Sequence, residues 1–156
     1  MATDVVTFSI GKSLYALDIS LAREIMEMVR ITPVPKAPSY IAGIINLRGE
    51  ITNILRLNSL LGLPVEAESD DQKIIVLVAE ACGGSNMGII VDDVHSVTGV
   101  EDDQIEKIDS AVSGDAYVKG VIKARKDGEG QGKLIIWIDL SKLLTDQLSG
   151  RSEDQA

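Results

Sequence analysis

The chain has 156 residues, is 45% hydrophobic but only 3% aromatic, and carries 24 acidic against 15 basic side chains for a net charge of −9. That length fits one domain or two small subdomains, and the scarcity of aromatics leaves the core to Ile, Val and Leu. The acidic balance argues against nucleic acid, whose affinity rests on Lys and Arg, and favours protein partners. A single cysteine, Cys82, leaves no internal disulfide and suits a reducing compartment. No apolar run reaches the roughly 18 residues that span a bilayer. Met1-Ala2-Thr3-Asp4 lacks the basic-then-apolar order of a signal peptide. The expectation is a soluble cytoplasmic protein without direct membrane insertion.

Val6, Phe8 and Ile10 alternate with Thr7 and Ser9, and Leu14, Ala16 and Asp18 alternate with Tyr15 and Leu17, which predicts a hairpin across Gly11-Lys12. From Ser20, a fitting N-cap, Leu21, Ile25 and Met28 recur at helical intervals and predict a short helix. Pro33, Pro35 and Pro38 then impose an extended connector. Ile41–Leu47 and Ile51–Leu57 read as strands joined across Arg48-Gly49, with a helical turn over Asn58–Gly62. The polar, acidic run 63–72, opened by Pro64, marks a boundary.

Beyond it, Lys73–Ala79 and Met87–Val91 read as strands about a turn at Gly83-Gly84-Ser85-Asn86. Val94 and Val97 extend to Gly99. Glu101–Ser110 is open between a helical turn and a loop. Tyr117–Arg125 and Lys133–Ile138 flank a glycine-rich loop at 127–132. Leu140, Leu143, Leu144 and Leu148 share one helical face and predict a closing amphipathic helix over 140–148, with 149–156 as a flexible tail. Short strands at this spacing predict a mainly β chain of two small antiparallel barrels with short helices.

Groups for catalysis are few. His95 is the only histidine; it could act as a general base, but its apolar neighbours suit a partly exposed strand residue. Cys82 lacks a Cys-x-x-Cys partner and reads as an apolar filler rather than a nucleophile or ligand. The loop 128–133 fails as a P-loop, with Asp127 at the first glycine position and Leu134 after the lysine. It also fails as a dinucleotide fingerprint, because a strand follows. Asp92 and Asp93 point to opposite faces of a strand, and the acids at 66–71 and 101–103 lack calcium-loop spacing. No catalytic residue, cofactor site or metal site is expected.

Ile41-Ala42-Gly43-Ile44-Ile45-Asn46-Leu47-Arg48-Gly49, after the Val34-Pro35 and Pro38 connector, resembles the signature of the CheW family. Tyr15-Ala16-Leu17-Asp18-Ile19 resembles its opening strand and Arg23-Glu24-Ile25 its Glu-Ile helix. Gly88 to Val94, Tyr117 to Gly120 and Ile138 to Leu144 extend the resemblance in order over residues 4–148. It implies two five-stranded antiparallel barrels packed around a shared apolar seam in one domain. The first would cover about 15–72, and the second about 73–139 plus the N-terminal strand.

The resemblance further implies a non-enzymatic adaptor that couples the cytoplasmic tips of methyl-accepting chemoreceptors to the regulatory domain of the histidine kinase CheA. Such a protein would sit at the inner face of the membrane through receptor arrays. It places partner binding at Glu24, Gly43, Arg48 and Gly49. Each residue has a structural alternative: Arg48 bracing its own turn, Glu24 pairing with Arg48, Gly49 serving backbone geometry, and Gly43 permitting close approach of chains. Two departures stand beside it, since Asn53 occupies a position where the family often has proline and Arg56 one where it has an acid. Alternatives are a scaffold of a different chemosensory system and a small-ligand-binding barrel.

Overall fold

Alternation at the N-terminus does produce a hairpin. β1 (Thr3–Ile10) runs antiparallel to β2 (Ser13–Asp18), and Phe8 stacks on Tyr15 with ring centroids 6.1 Å apart. The computed structural model describes residues 3–63, 71–106, 117–124 and 133–146. The 127–132 loop, Leu148 and the tail therefore lie outside the described residues. β3 (Ala22–Glu27), β4 (Ile41–Leu47), β5 (Glu50–Arg56) and the short helix α1 (Leu57–Leu60) come next. They are followed by β6 (Lys73–Leu77), β7 (Met87–Val91), β8 (Asp93–Val100), β9 (Ile105–Glu106), β10 (Val118–Ala124) and β11 (Lys133–Ile138). A final helix, α2, covers 140–146, with the Lys142 amide bonded to the Asp139 carboxylate at its start.

The strands form a six-stranded sheet in the order β8-β1-β2-β11-β10-β9 and a five-stranded sheet in the order β3-β6-β7-β5-β4. The expectation of antiparallel barrels needs correction in two respects. β2–β11 and β5–β7 are parallel, so both sheets are mixed. Parallel neighbours need a crossover connection rather than a turn, and nothing in a strand's own pattern names so distant a partner. The strand orders also run from edge to edge without closing. In the five-stranded sheet one antiparallel bridge, Thr32 to Ile44, ties the chain beyond β3 to β4.

The helix expected over Leu21, Ile25 and Met28 is a second correction. A single 3-10 turn, Ile19–Leu21, leads into strand β3, whose residues alternate between half-buried and exposed. Leu21 and Ala22 pack against the cluster that holds Leu77, and Met26 and Met28 against Ile74 and its neighbours, while Ile25 is 42% exposed. Pairing with β6 along the whole of β3 overrides the helical spacing.

The boundary at 63–72 does not divide the sheets either. β6 and β7 join β3–β5 in the five-stranded sheet, and β2 joins β1 in the six-stranded one. The chain changes sheet after Asp18 and again at Asp92. Residues 64–70 of that run lie outside the described residues, and its polar, proline-led composition says nothing of which sheet the next strand enters. β6 and β7 are, with β5, the inner strands here. Ile74 and Val76 of β6 face one apolar cluster, Ile75 and Leu77 another. Near-continuous apolar runs are what two covered faces require.

Those clusters define the core. One lies within the six-stranded sheet around Val5, Ile122 and Trp137, and one within the five-stranded sheet around Ile54, Ile74 and Ile90. The largest draws on both: Val6, Phe8 and Leu17 from one sheet, Leu55, Ile75 and Ile89 from the other, and Leu140, Leu143 and Leu144 of α2. This is the shared apolar seam, and the expected closing helix fills part of it.

Candidate partner-binding site

β4 and β5 meet in a two-residue turn at Arg48-Gly49, with φ of 50° and 87° respectively. Two successive positive φ values match the twist of a two-residue hairpin. Glycine takes this conformation freely, and an added Cβ at Gly49 would meet nothing within 4 Å. Conformation, not space, therefore calls for glycine there. The turn is bracketed by Asn46, whose Oδ1 accepts from the Gly49 amide at 2.8 Å. Arg48 holds a left-handed conformation that non-glycine residues seldom adopt.

From this turn the guanidinium reaches across to β3, the opposite edge strand of the same sheet. Its Nη1 donates to Glu24 Oε1 at 2.6 Å and its Nη2 to Oε2 at 2.9 Å, a two-point pair of matched planar groups. The hydrogen bond from Arg48 holds the Glu24 carboxyl below the usual carboxylate range, and Glu24 in turn raises the guanidinium. The Arg48 side chain remains 65% exposed and that of Glu24 25%. Charge, shape and hydrogen-bonding edge are thus fixed, while the outer face of the guanidinium stays open.

Gly43 stands behind this surface. It is buried, at a bulge between Ile41 and Gly43 in the β4–β5 pairing, with φ of 150°. An added Cβ would run into the Thr32 carbonyl oxygen and lie 2.7 Å from Ile31 Cγ2. The absence of a side chain lets Thr32 bridge to Ile44, with both N–H···O bonds at 2.9 Å. The structure therefore brings Glu24 and Arg48 into contact, sets Gly49 beside them, and keeps Gly43 as a spacer.

Sequence reasoning passed over several neighbours. Ile25 and Ile51, next to Glu24 and close to Gly49 in the chain, are 42% and 59% exposed. Glu50 accepts from Asn86 Nδ2 at 3.1 Å. Ile51 continues an alternation that buries Thr52, so its outward face was readable from the strand period. Asn46, three residues before a glycine in a turn, was likewise a recognisable side-chain acceptor. The two departures are built into the fold. The Asn53 amide, a donor that proline lacks, bonds to the Asn86 carbonyl at 3.0 Å. Arg56 Nη1 donates to the carbonyls of Ser39 at 2.8 Å and Ile41 at 3.0 Å, which an acid at this position could not do.

The residues weighed for chemistry lie apart. His95 is exposed on β8 beside an open concavity of about 750 Å3 that Lys12, Leu14 and Leu134 also line. Cys82 ends a 3-10 turn, Ala79–Cys82, closed by Gly83 in the left-handed conformation. Asp92 accepts from the Gly11 amide and Asp93 from that of Val94, so the two acids serve different loops. Glu101 and Gln104 form a reciprocal capping box around a 3-10 turn. Among the described residues no three His, Cys, Asp or Glu side chains are grouped to hold a metal ion, and no helix is long and apolar enough to cross a membrane.

Comparison with known proteins adds to this geometry. The sequence profile of the CheW-like domain matches residues 4–148. The chemotaxis protein CheW of Treponema pallidum is 32% identical over 144 residues, covering 90% of this chain and 81% of that protein. CheW of Thermotoga maritima is 28% identical over 141 residues, covering 90% and 87%. The crystal structure of the scaffolding protein TtCheW from Thermoanaerobacter tengcongensis superposes with a TM-score of 0.75 at 35% identity, covering 92% of this chain and 88% of that one.

Proposed function

This chain belongs to the CheW family of chemotaxis scaffold proteins, and from that premise we propose that it is a non-enzymatic adaptor coupling chemoreceptor cytoplasmic tips to the regulatory domain of the histidine kinase CheA. Its place would be the cytoplasm, held at the inner membrane face through receptor arrays. The observation that carries this reading is the Arg48–Glu24 pair: a two-point ion pair fixed across the edges of one sheet, at a turn held in the left-handed conformation, and still open to solvent. An exposed ion pair adds little to stability. A rigid, charged, outward-facing edge flanked by Ile25 and Ile51 suits recognition of a partner, where polar groups set orientation and apolar neighbours supply contact.

The test is Arg48→Ala, studied for thermal melting and for co-sedimentation with receptor-tip fragments and the CheA regulatory domain on the same preparations. The expected outcome is a near-native melting temperature with assembly weakened about tenfold or more, the scale of a residue near the centre of an interface. Arg48→Glu should be worse, because it sets two carboxylates against each other at Glu24. Unchanged assembly would remove the pair from the binding surface, and a fall in melting temperature matching the loss of binding would make it structural. A scaffold of a second chemosensory system would use the same surface with other receptors, and recovery of partners from the native cell separates the two.

A further inference from the structure

The chain passes between its two sheets twice, and an aspartate stands at each passage. Asp18 ends β2, immediately before the turn that carries the chain to β3. Its Oδ1 accepts from Trp137 Nε1 at 2.6 Å and its Oδ2 from Lys119 Nζ at 3.0 Å, and the same ammonium lies 5.1 Å from the centre of the Trp137 ring. Asp92 stands between β7 and β8, where the chain returns. Its Oδ2 accepts from the Gly11 amide at 2.6 Å and its Oδ1 from Gln72 Nε2 at 3.2 Å, while its own amide donates to the Ser9 carbonyl at 2.9 Å.

Both carboxylates are therefore engaged through both oxygens. Trp137 and Lys119 belong to β11 and β10, so the first passage is gripped by the six-stranded sheet. Gly11 lies in the β1–β2 turn and Gln72 leads into β6, so the second aspartate joins the two sheets directly. The apolar seam holds the sheets together, but burial of apolar surface is non-directional. Charge-assisted hydrogen bonds are short and angle-dependent, and they add a geometric constraint that burial lacks. We propose that Asp18 and Asp92 are positioning residues that set the angle between the two sheets, and through it the place of the Glu24–Arg48 pair relative to the six-stranded sheet. β3, which carries Glu24, begins at Ala22, directly after the 3-10 turn Ile19–Leu21 that follows Asp18. Only the meaning of that placement for partners rests on the adaptor reading; the angle itself is a property of the chain alone, so the two ideas can fail separately.

The experiment uses amide residual dipolar couplings of the full chain. In the unaltered protein, couplings from both sheets should fit one alignment frame. In Asp18→Ala/Asp92→Ala each sheet should still fit a frame of its own, while the common fit is lost. The side-chain N–H of Trp137, the only tryptophan, gives a local signature. Its proton should move upfield in Asp18→Ala and return in Asp18→Asn, which keeps an oxygen acceptor. Lys123→Gln, which breaks the 2.7 Å pair to Glu106 inside the six-stranded sheet, should leave the common frame intact. If the double variant does not fold, Trp137→Phe and Gln72→Ala each remove one arm of a clamp, and together should give the same loss of the common fit. Retention of one frame with the native inter-sheet orientation, in whichever of these variants folds, would overturn the proposal.

Discussion

The two sheets are built on different plans. The five-stranded sheet uses consecutive strands, β3 to β7, and two of its three inner strands, β6 and β7, are buried on both faces. The six-stranded sheet is assembled from separated parts, β1 and β2 with β8 to β11, and its edge strand β8 leaves residues 95–99 exposed. The first is held by close approach within itself, at Gly43 against Thr32 and at Gly88, where an added Cβ would lie 3.0 Å from Ile74 Cγ2. The second has a close approach of its own, at Gly120, where an added Cβ would lie 2.9 Å from Ile105 Cγ2, so what separates the two plans is the continuity of the chain that builds each sheet. The candidate binding surface lies on the sheet built from one continuous run of strands, and both strands that flank it, β3 and β4, belong to that run.

The largest expected effect concerns the seam. α2 places Leu140, Leu143 and Leu144 at 1%, 0% and 2% exposure in the cluster shared by both sheets. Each buried leucine is worth roughly 1.5–3 kcal/mol, so losing all three exceeds much of a small domain's stability. Deleting 140–156 should unfold or aggregate the protein, whereas deleting 149–156 should leave the melt nearly unchanged. Equal melting temperatures for the two truncations would show that the seam does not need the helix.

Next come two glycines of the five-stranded sheet that differ in kind. Gly43→Ala forces a methyl against the Thr32 carbonyl and should cost at least about 1–3 kcal/mol, the usual range for overpacking. Gly49→Ala meets open space and should cost only the left-handed conformation, ~1–2 kcal/mol. Gly49→Asn should recover part of that loss, since asparagine tolerates the conformation. Urea unfolding of the three variants orders them, and a reversal of Gly43 and Gly49 would contradict the close-approach account.

The smallest effect is a pH dependence. Glu24 titrates lower in the folded chain than in the unfolded one because Arg48 hydrogen-bonds its charged form. Its contribution is therefore fully present above the ordinary carboxylate pKa and fades as pH falls through the lowered folded value. Arg48→Ala should move the Glu24 titration, followed by carboxyl carbon chemical shift, up toward the ordinary range. An unmoved titration would mean the pair does not persist in solution.

Much of this was legible in the sequence where the determinant is local. The β1–β2 and β4–β5 hairpins, the turn at Arg48-Gly49 and the strand Lys133–Ile138 follow from alternation and turn chemistry, and the apolar face of α2 from helical spacing. The expectations fail where a distant partner decides. Leu21, Ile25 and Met28 keep helical spacing, yet pairing with β6 makes that segment a strand. The parallel contacts β2–β11 and β5–β7 leave no trace in either strand's pattern, so the observed sheet membership of β2, β6 and β7 differs from the expected one. At the candidate site, a Glu24–Arg48 pairing is among the alternatives the sequence offers. Its fixed two-point geometry depends on β3 and β4 being opposite edges of one sheet, which no local pattern states.

The strand order also bears on how the protein is made. On a ribosome, β1 and β2 emerge first, but β2 cannot gain its second neighbour until β11 is synthesised near the other end. Every strand of the five-stranded sheet is available well before that. Because domains fold as their contiguous segments appear, this sheet should mature first, with the β1–β2 hairpin waiting beside it as an unpaired edge. An unpaired edge is a template for wrong partners, and β1 is the most exposed to that hazard, since its central residues Val5 to Phe8 are buried in the finished protein. The interval between the emergence of β2 and that of β8, which covers the free edge of β1, is thus the stage at which synthesis at high level should be most prone to aggregation.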